Sequence, residues 1–178
     1  MSCAATSGRD TACFDNMGGV KNVYFSTDDI GAVSYDVTDT DTVATLAGTP
    51  EYFKYSLVGS SSSYTETINR DVNTGTSSFT GVLTLALPKM TKEFHKELKM
   101  LVYSRPSIIF EDYNGKYIIM GLSNSCDLTA GTIISGDARN SANGYNLTFS
   151  SEEGKPAAFL VTDIPTTTAT VSVVVESP

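Results

Sequence analysis

Only one stretch of this chain, residues 91–103, spaces its apolar residues as a helix does. Within it, Phe94, Leu98, Leu101 and Val102 recur at i, i+4, i+7 and i+8, so they would form one apolar stripe along a helix. We predict that this stripe, made of all four residues, packs on the core. A single helix in a chain of 178 residues leaves most of the fold to β-strands.

Both ends of the predicted helix are specified by neighbouring residues. Pro88 ends the preceding strand, and the hydroxyl of Thr91 can accept a hydrogen bond from the first turn. Pro106 prevents the helix from continuing and disfavours helical dihedrals at Arg105. We therefore expect one short helix between two strands.

The composition outside this helix is typical of a β protein. Thr, Ser and Gly are abundant, and alternating segments give roughly eight to ten strands, which suits two packed sheets or a barrel. We predict a mainly β (α+β) fold, an antiparallel β-sandwich or barrel-like subunit with one flanking α-helix at about residues 91–103 and a long protruding hairpin. Residues 1–178 are predicted to form one domain, with an extended N-terminal arm at about residues 1–19.

The long hairpin is predicted around a serine-rich tip. Residues 51–58 and 64–70 alternate between two kinds of side chain, as strands do. The run between them consists of small residues that favour a flexible connection. This tip comprises Gly59, Ser60, Ser61, Ser62 and Ser63.

A second, tight hairpin is predicted around Asn114-Gly115. Asn-Gly between two β-rich segments is a strong hairpin signal, and a two-residue turn fixes the register of the strands. The predicted cross-strand pairs are Tyr113 with Lys116, Glu111 with Ile118, and Ile109 with Met120.

Charge and cysteine usage exclude several kinds of site. The formal net charge of −8 argues against an outer surface that binds nucleic acid, because such binding neutralises phosphates with clustered Lys and Arg. No apolar run approaches the ~20 residues that span a membrane, and we see no secretion signal, so synthesis and retention in the cytoplasm are expected. Cys3, Cys13 and Cys126 follow no metal-ligand spacing and are predicted to be free thiols. We expect no cofactor, metal or membrane partner.

Candidate catalytic residues are few. His95, the single histidine of the sequence, lies beside a lysine on the predicted helix and belongs to no nucleophile motif. Glu111-Asp112 and Glu152-Glu153 are adjacent carboxylates, but neighbours in a strand point to opposite faces, so neither pair can share a substrate. We predict that the chain is not an enzyme.

The order of these features resembles the tail tube proteins of tailed bacteriophages. The likeness is one of layout along most of the chain, and none of its segments is a catalytic signature. In chain order the resembling segments are residues 16–24, the serine-tipped hairpin at 52–68, the strand at 79–87 with the helix at 89–103, residues 110–117 and residues 143–157.

That resemblance implies a structural virion protein of the phage tail, made in the cytoplasm of the host bacterium. Members of the family are β-sandwich or barrel-like subunits that form hexameric rings, and the rings stack into a hollow tube for DNA. The implied partner is the chain itself, with contacts to sheath, terminator, baseplate or tape measure proteins allowed and DNA passing without specific binding. The N-terminal arm and the C-terminal strand are implied to join neighbours.

The resemblance also implies roles for particular residues. The implied inter-ring loop is the serine-rich tip, residues 59–63. The strands implied to form an inner barrel shared by six subunits carry Tyr52, Lys54, Ser56, Glu66 and Asn69 toward the lumen.

Two alternatives stay open. Another virion part, such as a decoration or head-tail connector protein, is one of them. A β-sandwich binding module of the carbohydrate-binding or adhesin type is the other, although the chain has no Trp. Such a module would present tyrosine rings to sugars, and the candidates are Tyr24, Tyr35, Tyr52, Tyr55 and Tyr64.

Overall fold

The computed structural model describes residues 16–39, 41–48, 50–57 and 61–161, together with the backbone of residues 170–173. These residues form twelve strands and one helix. In chain order they are β1 (Val20–Ser26), β2 (Val33–Tyr35), β3 (Thr42–Leu46), β4 (Glu51–Ser56), β5 (Ser63–Asp71), β6 (Thr76–Pro88), α1 (Lys92–Tyr103), β7 (Ser107–Asp112), β8 (Tyr117–Met120), β9 (Asp127–Ser135), β10 (Asn143–Glu153), β11 (Ala158–Leu160) and β12 (Thr170–Val173). The predicted mainly β fold with one helix is confirmed for this part of the chain.

The strands form two sheets of different character. The large sheet has eight strands in the order β12-β4-β1-β7-β8-β11-β3-β2, and the small sheet has four in the order β5-β6-β10-β9. All pairs of the small sheet are antiparallel. In the large sheet β11 pairs with β3, and β12 with β4, in parallel. The antiparallel prediction is therefore wrong for these two pairs, which join strands far apart in sequence.

The central strands of the large sheet are buried on both faces. Ile108 and Phe110 of β7 enter a core shared with α1 and with Phe149 of the small sheet. Ile109, between them, enters a second core on the opposite face together with Tyr52 of β4. Alternate residues of one strand thus fill two different cores, which explains why β7 reads as an unbroken apolar run.

Helix α1 buries three of the four residues that were predicted to face the core. Phe94, Leu98 and Leu101 are buried, whereas Val102 is 52 % exposed, so the prediction is wrong for Val102. Eight residues of α-helix rotate a side chain about 80° away from its starting direction. Val102 therefore lies at the margin of the stripe that begins at Phe94.

The ends of α1 agree with the sequence signals. The hydroxyl of Thr91 accepts a hydrogen bond from the backbone N–H of Phe94 at 3.3 Å. At the other end, the backbone N–H of Ser104 donates to the carbonyl of Met100 at 3.0 Å, after which the chain becomes extended. The predicted N-cap is confirmed.

The hairpin of β7 and β8 forms, but the predicted register is wrong by one residue. Its loop holds three residues rather than two, because the backbone N–H of Asp112 donates to the carbonyl of Lys116 at 3.0 Å. Gly115 has a φ of +75°, and the Asp112 carboxylate accepts hydrogen bonds from the N–H of Asn114 and of Lys116. The observed pairs are Ile108 with Met120, Ile109 with Ile119, Phe110 with Ile118, and Glu111 with Tyr117.

The predicted hairpin around residues 59–63 is also wrong. Strand β4 lies in the large sheet between β1 and β12, whereas β5 lies in the small sheet and pairs with β6. The serine-rich segment therefore connects two sheets. The two strands that it joins follow the same alternation, and only the packing of the sheets decides their partners.

A long hairpin does protrude, and it consists of β5 and β6. Beyond the pair of Phe79 with Glu153, where β10 ends, this hairpin continues for three more residue pairs, about 10 Å. Its turn is held by the Asp71 carboxylate, which accepts a hydrogen bond from the backbone N–H of Asn73 at 2.8 Å. That hydrogen bond also lowers the pKa of Asp71.

The described end of the N-terminal arm is fixed to the β7–β8 loop. The backbone N–H of Met17 donates to Asn114 Oδ1 at 2.9 Å, and Asn114 Nδ2 donates back to the carbonyl of Met17 at 2.8 Å. Cys3 and Cys13 lie outside the described residues. Cys126 is a free thiol buried in the core, and burial raises its pKa.

Candidate assembly surface

The small sheet has two open edges. Among the described residues, β5 pairs only with β6, and β9 pairs only with β10. Each edge strand is nine residues long. An uncovered edge presents a row of N–H and C=O groups that a further strand can bind. The sequence predicted both strands, but it contained no signal for their positions at the edges.

The outer face of the small sheet is mostly polar, with Val82, Ala86, Ala130 and Ile134 as its apolar members. It carries no Lys or Arg at any paired position, because Arg70 falls on the opposite face. Its exposed acids are Asp71, Asp127 and Glu152, whereas the opposite face of the same strands buries Leu85 and Leu147. None of the polar residues on the outer face is buried. They include Thr65, Thr67, Asn69, Ser78, Thr80, Thr84, Thr132, Asn146, Thr148 and Ser150.

The lumen residues predicted on β4 do not lie on this face. Tyr52 is fully buried in the second core, and burial raises its pKa to about 12. Lys54 is half-buried, with its ammonium 5.8 Å from the ring centroid of Tyr24. Ser56 is exposed, but β4 has neighbours on both sides. The alternation along β4 suggested two dissimilar faces. In the structure, β4 belongs to the large sheet, which has a core on each side.

The two lumen residues predicted on β5 point in opposite directions. Glu66 faces the body of the subunit and accepts a hydrogen bond from the backbone N–H of Ala157 at 2.8 Å. Asn69 lies on the outer face, where its Nδ2 donates to the hydroxyl of Thr80 at 2.9 Å. Of the five residues predicted to share one surface, only Asn69 belongs to the outer face of the small sheet.

The serine-rich segment is only partly described, since Gly59 and Ser60 lie outside the described residues. Ser61 is exposed, and Ser63 begins β5. Ser62 is buried, and its Oγ accepts a hydrogen bond from the backbone N–H of Ala86 at 3.1 Å. Ser62 therefore has a structural role and is not available on the surface for contacts with another ring.

Apolar side chains are exposed near the far end of the protruding hairpin. Ile68 is 70 % exposed and Val72 is 83 % exposed. Phe79, opposite Ile68 in the register, is half-buried. This end of the hairpin has no covering layer among the described residues, which distinguishes it from the rest of β6.

Helix α1 presents a basic face to solvent. Lys92, Lys96, Lys99 and Tyr103 lie within about 60° of arc on the side opposite the core, and all four are exposed. The three lysines make no ion pair within the described part of the chain. Tyr103 is 82 % exposed. The outward face of α1 is thus both cationic and unpartnered.

The connection between β2 and β3 is acidic. Asp36, Asp39 and Asp41 fall within it, and its turn is closed by hydrogen bonds from the backbone N–H and the hydroxyl of Thr38 to the Asp36 carboxylate. The bond from the Thr38 hydroxyl, followed by those from backbone N–H groups, lowers the pKa of Asp36. The carboxylates of Asp36 and Asp39 hold the turn together, and all three acidic residues remain exposed or half-exposed.

Glu111 is a buried carboxylate in β7. Lys21 Nζ donates to it at 2.7 Å and Asn22 Nδ2 at 2.5 Å. Burial opposes its ionisation, but the hydrogen bonds from Lys21 and Asn22 and the nearby charges of Lys21 and Lys54 outweigh burial and lower its pKa. With every partner on β1 or β4, this carboxylate ties the central strands of the large sheet together.

The tyrosines considered for a sugar-binding surface do not form one. Tyr24 and Tyr52 are buried, and the rings of Tyr55 and Tyr64 pack against the core. Tyr64 lies 4.5 Å from the ring of Phe110. Tyr35 is the exposed member of the set, and Lys155 lies over its ring. The rings are therefore used in packing.

Other candidate residues are separate from one another. His95 is exposed on α1, with its ring 6.4 Å from that of Tyr145. Among the described residues, no three His, Cys, Asp or Glu side chains are placed to hold a metal ion. No helix in the described ranges has the length and apolar character needed to cross a membrane.

Comparison with known proteins gives no relative. No protein-family model, curated protein or solved structure matches this chain.

Proposed function

We propose that this chain is a structural subunit that assembles with copies of itself into a hollow ring of the tail tube type, and that stacked rings form a passage for phage DNA. One observation carries the proposal: the small sheet has two open nine-residue edges that flank a polar face without Lys or Arg. Its role is structural and not catalytic.

The directions of the four strands suit a closed ring. Neighbouring strands are antiparallel, so β5 and β9, at the two edges, run in opposite directions. Strand β9 of one copy and β5 of the next would therefore pair antiparallel, just as strands do within the sheet. Repeating this head-to-tail contact by rotation closes a ring and leaves no edge of the small sheet uncovered.

The chemistry of the outer face suits a channel. In such a ring, the hydroxyl and amide groups of the small sheet would line the lumen, in place of Tyr52, Lys54 and Ser56. Protein binding to DNA rests on cations that neutralise phosphates, and this face offers none at its paired positions. DNA could then pass without being held. The ring number of six and contacts with other tail proteins stay predictions from the resemblance.

The two ends of the small sheet suit stacking. Ser61 and Ser62, the described residues of the serine-rich segment before β5, lead into the start of this strand, whereas the turn of the protruding hairpin follows its end. These two residues and the turn therefore lie at opposite ends of the sheet. Rings stacked in one orientation would bring the hairpin turn of one ring to the serine-rich segment of the next. The serine-rich segment would then keep its predicted inter-ring position, and the hairpin turn of the neighbouring ring would be its contact.

Two neighbouring proline variants in β9 test the ring. In an antiparallel edge strand, successive N–H groups point alternately to the neighbouring strand and to the open side. Of Thr132→Pro and Ile133→Pro, one therefore removes a hydrogen bond to β10 and lowers the melting temperature, whereas the other removes only an N–H of the open edge.

We expect wild-type protein to form rings or tubes in negative-stain micrographs. The proline variant that keeps the wild-type melting temperature should stay monomeric in sedimentation velocity, because its edge can no longer pair fully. Normal tubes from that variant would contradict pairing through β9. A wild-type chain that stays monomeric at high concentration would contradict the proposed function itself.

A further inference from the structure

The basic helix lies on the same flank of the subunit as the β9 edge. The ring of Phe94 in α1 lies 4.7 Å from that of Tyr145 in β10, which is the strand beside β9. Just after the helix, Arg105 donates to the carboxylate of Asp127, the first residue of β9, at 2.8 and 3.0 Å. A strand added to β9 would therefore bring its own subunit alongside α1.

The acidic β2–β3 connection lies on the opposite flank, beside the β5 edge. Glu66 of β5 accepts the hydrogen bond from Ala157, which immediately precedes β11. Two residues earlier, Lys155 lies 5.5 Å over the ring of Tyr35, the last residue of β2. This chain of contacts places the start of the acidic connection on the β5 side of the subunit. The two flanks are the ones that a β9-to-β5 junction would bring together.

The charges on these flanks are complementary. The β2–β3 connection carries Asp36, Asp39 and Asp41 and no Lys or Arg, whereas residues 88–105 contain five basic residues and two acidic ones. The two lysines beside the acidic connection are placed over aromatic rings, Lys116 over Phe159 and Lys155 over Tyr35. Opposite charges arranged in this way orient two copies before they pair and disfavour the wrong edge contacts.

We propose that Lys92, Lys96 and Lys99 of one copy contact the acidic β2–β3 connection of the neighbouring copy across the β9-to-β5 junction. This inference rests on the proposed ring and names the contact that accompanies its strand pairing. The charged contact selects which edge meets which, and the backbone hydrogen bonds of β9 and β5 hold the junction.

A charge exchange tests the contact. The helix variant is Lys96→Glu/Lys99→Glu, and Glu and Lys have similar helix propensities, so α1 should persist. The connection variant is Asp39→Lys/Asp41→Lys, with Asp41→Lys alone as a milder form that keeps the hydrogen bond from the Thr42 hydroxyl to Asp39. The combined chain carries all four substitutions and retains the wild-type formal charge of −8, because −4 and +4 cancel.

The readout is the protein concentration at which half of the chain is assembled, measured by sedimentation velocity. In about 0.05 M salt we expect the helix and connection variants to need about tenfold more protein than the wild type, because each contact becomes repulsive. The combined chain should return to within about threefold of the wild type. In about 0.5 M salt the differences should shrink, since exposed charges are then screened.

The outcomes separate this contact from the ring. A helix variant that assembles like the wild type, or a combined chain that assembles no better than the helix variant, overturns the contact. Melting curves and helical circular dichroism confirm that each compared variant is folded. Wild-type protein that forms no assembly in any of these conditions overturns the proposed function instead.

Discussion

The two sheets of this subunit differ in how much of their surface the chain itself covers. The central strands of the large sheet are buried on both faces, with Ile108 and Ile109 entering separate cores, and they are further joined by the buried Glu111. The small sheet buries one face only, and its two edges have no neighbour among the described residues. Stability is concentrated in the first sheet, and the surface available to other copies is concentrated in the second.

The contrast shows where a self-assembling subunit can change without unfolding. A residue that fills a core has contacts that only the folded chain provides, so its truncation costs free energy of unfolding. A residue on the open face of an edge sheet costs little in the isolated subunit. Variants in the two sheets should therefore separate folding from assembly.

The largest effect is expected at Ile109, in the core on the far face of the large sheet. Ile109→Ala should lower the free energy of unfolding by about 2–5 kcal/mol, because it leaves a cavity in a fully buried site. Thr67→Ala, on the outer face of the small sheet, is the matched truncation and should change it by less than about 0.5 kcal/mol. Urea unfolding of unassembled protein measures both, and equal losses would contradict the contrast.

A smaller effect is expected at Glu111. Glu111→Gln should cost about 1–3 kcal/mol near neutral pH, because the charged hydrogen bonds from Lys21 and Asn22 are lost in a buried site. The matched control is Asp127→Asn, whose ion pair with Arg105 is more than half exposed and should contribute much less to stability than the buried Glu111.

The Glu111 contribution should also depend on pH. Its pKa is lower in the folded protein, so the stabilisation is fully present above the unfolded value of about 4.3 and is lost as the pH falls through the folded pKa. Unfolding curves of wild type and Glu111→Gln should therefore begin to converge as the pH falls below that unfolded value, and they should meet below the folded pKa. A difference that stays constant from neutral to acidic pH would show that the carboxylate contributes through its shape and not its charge.

The smallest effect on stability is expected from adding cations to the outer face of the small sheet. Thr67→Lys/Thr132→Lys should change the free energy of unfolding by less than about 0.5 kcal/mol, because both residues are exposed. In assembled protein, however, the added lysines should create DNA binding that weakens steeply with salt. Fluorescence anisotropy of labelled duplex DNA measures it, with Thr67→Gln/Thr132→Gln as the control. Assemblies of the lysine variant that do not retain DNA would place this face outside the channel.

Local signals in the sequence were sufficient for several of the elements, although the described residues form twelve strands where roughly eight to ten were predicted. The helix was predicted from its apolar spacing, and its Thr91 cap and the hairpin at Asn114-Gly115 were predicted from neighbouring residues. All three are found. The errors of detail are also local. Val102 lies a fraction of a turn beyond the stripe, and one additional loop residue shifted the register of β7 and β8.

Which strands become neighbours could not be predicted in the same way. Strands β4 and β5 alternate like the arms of a hairpin, yet they belong to different sheets, and the parallel pairing of β3 with β11 joins residues far apart in sequence. Tyr52 and Lys54 were assigned to a lumen from the resemblance to tail tube proteins. Long-range packing, which leaves no local signal, places Tyr52 in the second core.

Because Cys126 is buried, transient opening of the subunit can be measured by chemical labelling of this residue. Its sulfur is inaccessible and its pKa is raised, and alkylating reagents attack only an accessible thiolate. In a Cys3→Ser/Cys13→Ser background, modification of this residue would occur only when the body transiently opens. The labelling rate would then report how often a subunit opens transiently within an assembly. Spectroscopic melting curves do not give this rate, because they average over all copies.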